Sequence, residues 1–405
     1  MHVLVSGASI AGPVLAYWLN RRGVEVTVVE KAPALRKTGG HAIDLIGPAM
    51  EIAEKMGVAN RVHAHATGTE RLIMQRVGAK RPANIDYAKV VAALSARHVE
   101  IMRDDLSEIF YDAGREDAEY LFGDHITGID DDGQVRFAHA GTRRFDLVVG
   151  ADGLHSGVRR LTFGEDAGHT EFLGAYLAVV SVPKSLARDG ESTGFVDVDR
   201  TAMIYTADHL DDARAVFIFR PETAFEYDYR DTAGHQRLLR ARFTGMAEPV
   251  DQWLAELDST PAFYFDAITQ LRLTSWSRGR VTLVGDAGYC PGPAVGGSTS
   301  LAVIGAYVLA GELERAGGDH TAAFDAYEKV MQPAVIGARA LAKGMAKGIL
   351  PSSPLGVRAL IGAGQLISLL PKPVTAAIAG LNDKGIRLYD SIDVPDYPVP
   401  VRPRG

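Results

Sequence analysis

The 405-residue chain has one cysteine, Cys290, and three tryptophans. A single thiol excludes an intrachain disulfide and a cysteine-rich metal site, and it fits a reducing compartment, so a cytoplasmic location is expected. No long basic block is present and the formal net charge is −7, which argues against nucleic acid as a partner. No run of 18 apolar residues occurs, so no spanning helix is expected. Val3 to Val5 is apolar but begins at residue 3, lacks a basic flank and a cleavage site, and is broken by Gly7, so no secretory leader is expected. The 12 histidines are scattered without ligand spacing, and no metal is expected. What is present is an ordinary globular balance, with 47% hydrophobic and 23% charged residues. A chain of this length can bury a large core without staples.

The stretch "VLVSGASIAGPVLAYWL", residues 3 to 19, opens the argument. Residues 2–6 read as a buried strand. Leu15, Trp18 and Leu19 follow at helical spacing over 11–22, and "VEVTVVE" at 24–30 reads as a second strand ending in an acid. Strand, glycine turn, helix and strand begin a doubly wound sheet. A helix N-terminus presents unpaired N–H groups and binds phosphate. Gly7 permits the tight turn, Ser9 stands where the backbone nears a pyrophosphate, and Gly12 allows close helix–strand packing. Glu30 lies where an acid accepts a bond from a ribose 2′-OH. That acid disfavours a 2′-phosphate, so the residues themselves leave NAD or FAD.

Farther on, a helix is expected at 47–56, and "VEIMRDDLSEIFYDAG" from residue 99 reads as a strand entering a helix. Short strands are expected at 118–122, 125–130 and 134–138, the last two joined by the hairpin turn "DDDG". From about 170 to 275 the texture is β-rich and aromatic, with helices near 234–244 and 249–257. This predicts an antiparallel sheet inserted into the first domain. Small-residue helices run on to about 348, and an extended proline-containing tail begins near 390.

Two more stretches stand out: "DLVVGADGLHSGVR", Asp146 to Arg159, and "LVGDAGYCPGPAVGGSTSLAVIGA", Leu283 to Ala306. With the opening turn, in this order and spacing, they resemble the motifs of the group A flavoprotein monooxygenases, the family of para-hydroxybenzoate hydroxylase and of the tetracycline-inactivating and polyketide-tailoring hydroxylases. The resemblance covers most of residues 1–340 and implies an α/β protein: a Rossmann-like FAD-binding domain with an inserted antiparallel-sheet substrate domain and C-terminal helices. The expected division is an FAD-binding domain from 1–75, 99–169 and 276–340, a substrate domain from 76–98 and 170–275, and a helical segment and tail from 341–405. The implied cofactor is FAD. Gly7, Ser9, Ile10, Ala11 and Gly12 would hold its ADP half, with Glu30 and Lys31 at the adenosine ribose and Arg103 on the flavin side. Asp152 and Gly153, supported by Arg159, would touch FAD where the nicotinamide nucleotide docks. Asp286, with Gly285, would bond the ribityl chain. The next helix, entered through Pro293, Gly296, Gly297 and Ser298, would point its N-terminus at the flavin ring and stabilise the reduced form. The last motif departs from the family pattern at Tyr289, usually histidine, at Gly292, Ser298 and Ser300, and at Gly305, usually an acid.

The resemblance implies that NADPH or NADH reduces FAD, O2 adds to it, and a flavin hydroperoxide hydroxylates an aromatic or polyketide-like molecule. A halogenase or reductase-type enzyme fed by a partner reductase shares this fold family, but the halogenase Trp-x-Trp stretch is absent; only "SWSRGR" surrounds Trp276. A non-catalytic protein binding FAD or an aromatic ligand is a third reading, motivated by the altered flavin loop. Asp44, in "TGGHAIDL", is the candidate catalytic residue, with His41 beside it. It either tunes the ring and touches substrate, or bonds its own backbone as loop aspartates do. Phe195, Tyr205, Phe217 and Phe219 are candidates for an aromatic substrate pocket, and Phe217 and Phe219 share a face by the period of two; sheet core is the simpler reading for any one of them. Arg339, Lys343 and Lys347 fall on one helical face opposite Leu341, Met345 and Ile349. This face either meets a membrane surface or partner, or packs on its own domain. A monomer or homodimer is expected.

Overall fold

A computed structural model describes residues 1–35, 39–92, 97–165, 168–222, 228–293, 297–371, 374 and 392–398. The strand His2–Ser6 occupies the middle of a six-stranded sheet, paired in parallel with Glu25–Glu30 on one side and Leu147–Gly150 on the other. Glu119–Phe122 and Val281–Leu283 extend it, and Ser277–Arg278 closes one edge antiparallel. Val3, Leu4, Val5, Val28 and Val149 are wholly or almost wholly buried, as continuous apolar runs in a parallel sheet must be. The helix Ala11–Arg21 buries Val14, Leu15, Trp18 and Leu19 against it, and the helix Ser298–Arg315 packs on that helix. The expected strands, hairpin and turns of this half lie where the sequence put them. The hairpin strands Ile126–Ile129 and Gln134–Phe137 form a small separate sheet with Thr142–Arg144.

The inserted half is a seven-stranded sheet built around Thr170–Pro183. One of its faces is filled by Ile204, Phe217, Phe219 and Phe265, and the helices Thr232–Phe243 and Glu248–Ala255 cover it with Phe243 and Trp253. The other face carries Leu177, Val179, Ile218, Tyr264 and Ile268 and turns toward the long helix His320–Ile349. Two expectations change here. The sheet is not purely antiparallel, since Glu191–Asp197 pairs in parallel with Arg71–Arg76. The expected boundary after residue 75 therefore falls inside a strand of this sheet. The boundary after 340 falls inside the continuous helix His320–Ile349.

In that helix Lys343 pairs with Glu171 at 2.7 Å and the carbonyl of Arg339 accepts from Gln270 Nε2 at 2.7 Å. Lys343 of the basic face is thus paired within its own chain, the contact at Arg339 is made by its backbone, and the side chain of Lys347 lies outside the described residues. No helix among the described residues is long and apolar enough to cross a membrane. The extended tail segment 392–398 is tied down by Tyr397, whose hydroxyl donates to Glu312 at 2.5 Å. Its ring rests on Gly311, where a Cβ would come within 2.2 Å of it.

A short ribbon, Ala42–Ile46 paired antiparallel with His98–Met102, lies between the halves. Its register sets Asp44 directly opposite Glu100.

Candidate active site

The opening turn is tightly packed backbone. Gly7 has φ +108°, and a Cβ there would stand 2.5 Å from the carbonyl oxygen of Ala151; at Gly12 it would stand 1.9 Å from the carbonyl oxygen of Gly7. Ile10, at the cap of Ala11–Arg21, offers no side-chain acceptor, so the first-turn amides of Ala11 and Gly12 have no side-chain cap. An uncapped N-terminus with its dipole is a phosphate site. The Glu30 carboxylate accepts from the amides of Ala8 at 2.9 Å and Ala32 at 2.8 Å. It thereby fixes the turn and leaves lone pairs for a ribose hydroxyl. Lys31 beside it is exposed.

Ser9 has a definite task. Its hydroxyl accepts from Arg103 Nη2 at 3.2 Å, and its carbonyl accepts from Ser107 at 3.0 Å. The residue in the usual glycine position therefore anchors Arg103. Arg103 also faces Asp286, whose carboxyl burial pushes above the usual carboxylate range, while Arg103 pulls it down.

The middle motif wraps a helix start. The Asp152 carboxylate accepts from the amides of Gly157 at 2.8 Å and Val158 at 3.1 Å and from the Ser156 hydroxyl. Burial nevertheless holds its carboxyl above the usual range. Gly153 has φ +79° with nothing near a would-be Cβ, so conformation rather than space demands glycine. Arg159 is fully buried and donates to the carbonyls of Leu154 at 2.5 Å and Ala287 at 2.9 Å. It clamps the middle motif to the last one.

In the last motif Gly285 has φ +67°, and a Cβ there would come within 3.1 Å of Ala302 and 3.5 Å of Ala11. Both nucleotide-facing helices close on this point. Gly297 is left-handed, φ +82°, and starts Ser298–Arg315 with no side-chain cap. Pro293 lies in the turn before it, and Gly296 lies outside the described residues. Ser300 is buried and stitches the helix to the ribbon, accepting from the amide of Ile46 at 3.0 Å and donating to the carbonyl of Asp44 at 3.3 Å. Tyr289 and Gly305, two departures from the family pattern, are one feature: a Cβ on Gly305 would stand 1.9 Å from the Tyr289 hydroxyl. That hydroxyl meets Tyr327 at 3.1 Å, and burial holds it up to about 12. Cys290 is buried and its thiol is pushed well above its ordinary value by burial, the state of an inert small side chain.

On the ribbon, Asp44 accepts from His98 Nε2 at 2.6 Å and keeps about a third of its side chain exposed. Glu100 accepts from Tyr87 at 2.7 Å and from Thr67 and Thr69. Tyr205 accepts from the amide of Ala42 at 2.7 Å, and burial raises its hydroxyl above the ordinary range. His41 lies with its ring centre 6.0 Å from Tyr264, and burial, then Arg103, lowers it to about 4. Asp44, His41 and Tyr205 therefore gather near one ribbon. Phe195, Phe217 and Phe219 do not. Their side chains lie in the core under Phe243 and Trp253, with Phe217 and Phe243 rings 5.0 Å apart. The pocket expectation is corrected for these three, because the helices rather than the cleft cover that face of the sheet. Sequence reading missed His98, Glu100, Tyr264 and Asp266. His98 and Glu100 had a signal, since two polar residues two apart on a strand share a face with Asp44's partner position.

A parallel sheet with a glycine turn at a helix N-terminus is the geometry of dinucleotide-binding folds. Residues 1–335 match the family model described as an FAD binding domain. An uncharacterized protein of Mycobacterium tuberculosis is 42% identical over 329 residues, 80% of this chain and 88% of that one. A flavin-dependent monooxygenase from an unknown prokaryotic organism is 36% identical over 386 residues, 93% of this chain and 97% of its own. Among solved structures, tetracycline destructase Tet(55) superposes with a TM-score of 0.82 at 34% identity, covering 98% of both chains. The chain belongs to the FAD-binding-domain family of flavin-dependent monooxygenases, and FAD is its cofactor.

Proposed function

We propose that the protein uses NADPH or NADH and O2 to hydroxylate a polycyclic, phenolic or enolic polyketide-like molecule, bound between the ribbon and the inserted sheet. The observation that carries this is the gathering of Asp44, His41 and Tyr205 around one ribbon, with His41 in the field of Arg103, which itself reaches Ser9 of the nucleotide turn. The likeness over 98% of the chain to a tetracycline destructase supports the substrate class. When bound, FAD supplies the electron transfer and oxygen activation. The chain's own residues position and shield. Gly7 to Gly12 and Glu30 would hold the adenosine diphosphate, Arg103 and Asp286 the ribityl side, and the N-terminus at Gly297 the electron-rich edge of the ring. Asp44, held by His98, would accept a proton from a substrate hydroxyl. His41, neutral at physiological pH, adds no charge to the cleft.

The test is an anaerobic absorption spectrum with NADPH and then NADH, with and without phenolic and polycyclic candidates. Bleaching that reverses in air, with an oxygenated product by mass spectrometry, is expected. A flavin band that neither nucleotide bleaches under any condition would overturn the proposal.

A further inference from the structure

One cluster beside the cleft has no part in holding the cofactor. Tyr264, on the strand Phe263–Leu271, is buried against His41 and lies in the field of Arg103, Asp286 and Cys290. Its hydroxyl donates to Asp266 Oδ2 at 3.3 Å, and His155 Nε2 donates to the same oxygen at 2.9 Å. Asp266 is 7% exposed at its side chain and His155 34%. The His155 ring stacks on Tyr229 at 4.1 Å and 10°, and Tyr229 is itself at the surface. The cluster therefore runs from the cleft to solvent through three side chains that each carry an exchangeable proton or accept one. His155 comes from the loop of the middle motif and Asp266 from the inserted sheet, 111 positions apart.

We infer that Tyr264, Asp266 and His155 form a proton relay between the flavin cleft and solvent. The inference rests on the proposed reaction, whose balance is R–H + O2 + NAD(P)H + H⁺ → R–OH + NAD(P)⁺ + H2O. One proton enters per turnover, and the second oxygen atom of O2 needs it to leave as water. A cleft that excludes water protects the reaction but also blocks that proton. The relay resolves the conflict. His155 takes a proton from solvent and passes it to Asp266; Tyr264 gives its own hydroxyl proton into the cleft and takes the one on Asp266. Burial keeps Tyr264 protonated between transfers. The charged groups around the chain are Asp286 and Arg103 on the cleft side and His235 beside Asp266.

The test uses the holoenzyme reduced with dithionite and mixed with oxygenated buffer, so it needs neither nicotinamide nucleotide nor substrate. Anionic reduced flavin, O2 and one proton give oxidised flavin and H2O2. His155→Gln keeps a donor to Asp266 but cannot shuttle a proton; Asp266→Asn keeps shape and an acceptor oxygen but loses the carboxylate that takes up the proton. We expect both to slow reoxidation by about tenfold or more, and to delay proton uptake read by a pH indicator in weak buffer. Imidazole should restore His155→Gln, and FAD affinity should be unchanged in both. Wild-type rates in both variants at every pH overturn the relay, as does slow reoxidation that imidazole leaves unchanged, since that marks a merely structural contact. A wild-type enzyme that no nicotinamide nucleotide reduces would sink the proposed function without touching this experiment.

Discussion

Tyr289 and Gly305 should behave as one unit. The missing side chain at Gly305 is the space that the Tyr289 hydroxyl fills, 1.9 Å from where a Cβ would be. Gly305→Ala gains about 1 kcal/mol of helix propensity. Against that, it forces a methyl into the hydroxyl, and overpacking of this kind costs about 1–3 kcal/mol. The ring cannot swing away freely, because it packs on Trp276 at 4.6 Å and its hydroxyl is bonded to Tyr327. The expected net runs from about zero to a loss of about 2 kcal/mol. Tyr289→Phe removes the hydroxyl and one bond, a loss of about 1 kcal/mol. Tyr327 keeps its own bond to the carbonyl of Leu283 at 3.0 Å. In the double variant the methyl no longer meets oxygen, so part of the clash disappears. The double should be more stable than the sum of the singles by about 1 kcal/mol or more, outside the roughly 0.3–0.5 kcal/mol within which independent sites add. Denaturation of the four proteins, followed by tryptophan fluorescence and by flavin release, measures this. Additive losses would refute the pairing, and the two departures from the family pattern would then be unrelated.

Three other outcomes follow from the site. Ser9→Ala removes the acceptor of Arg103, and FAD should bind about 3- to 10-fold more weakly by fluorescence titration, since a bond of this kind contributes about 1 kcal/mol; equal affinity would mean that Arg103 is held by other contacts alone. His41, lowered to about 4 in the folded apoprotein, binds its proton less readily than in the unfolded chain. The unfolded state therefore holds more protons below pH 6.5, and stability is full above that value and falls as pH drops toward 4, by at most about 3 kcal/mol from this group. In His41→Gln, denaturation midpoints should fall less across that window; an identical slope would contradict the assignment. Phe217→Leu should lower the melting temperature while leaving the substrate KM unchanged, whereas Tyr205→Phe should change KM with little loss of stability; the reverse pattern would return Phe217 to the pocket.

The nucleotide site was legible because each of its parts is local. A strand, a glycine turn and a helix N-terminus are continuous in sequence, so Gly7 and Gly12 could be read before any fold was known, while Gly153 and Gly285 came from the resemblance of their motifs to the family. Periodicity also told that Phe217 and Phe219 share a face. It did not tell which face, because a period of two is symmetric about the sheet; the helices carrying Phe243 and Trp253 decided that. The parallel pairing of Arg71–Arg76 with Glu191–Asp197 was equally hidden, since a hydrophobic strand carries no mark of its partner.

By itself, then, the sequence determined that there is a doubly wound core with a dinucleotide-type turn, since backbone conformation and helix ends are set within a few residues, and the choice of FAD over NAD came from the resemblance of its three motifs to a known family. Only the tertiary structure decided what Ser9 does for Arg103, why Tyr289 goes with Gly305, and that His155 meets Asp266. Those relations join residues tens to more than a hundred positions apart, and a contact across such a distance exists only once packing has chosen the neighbours.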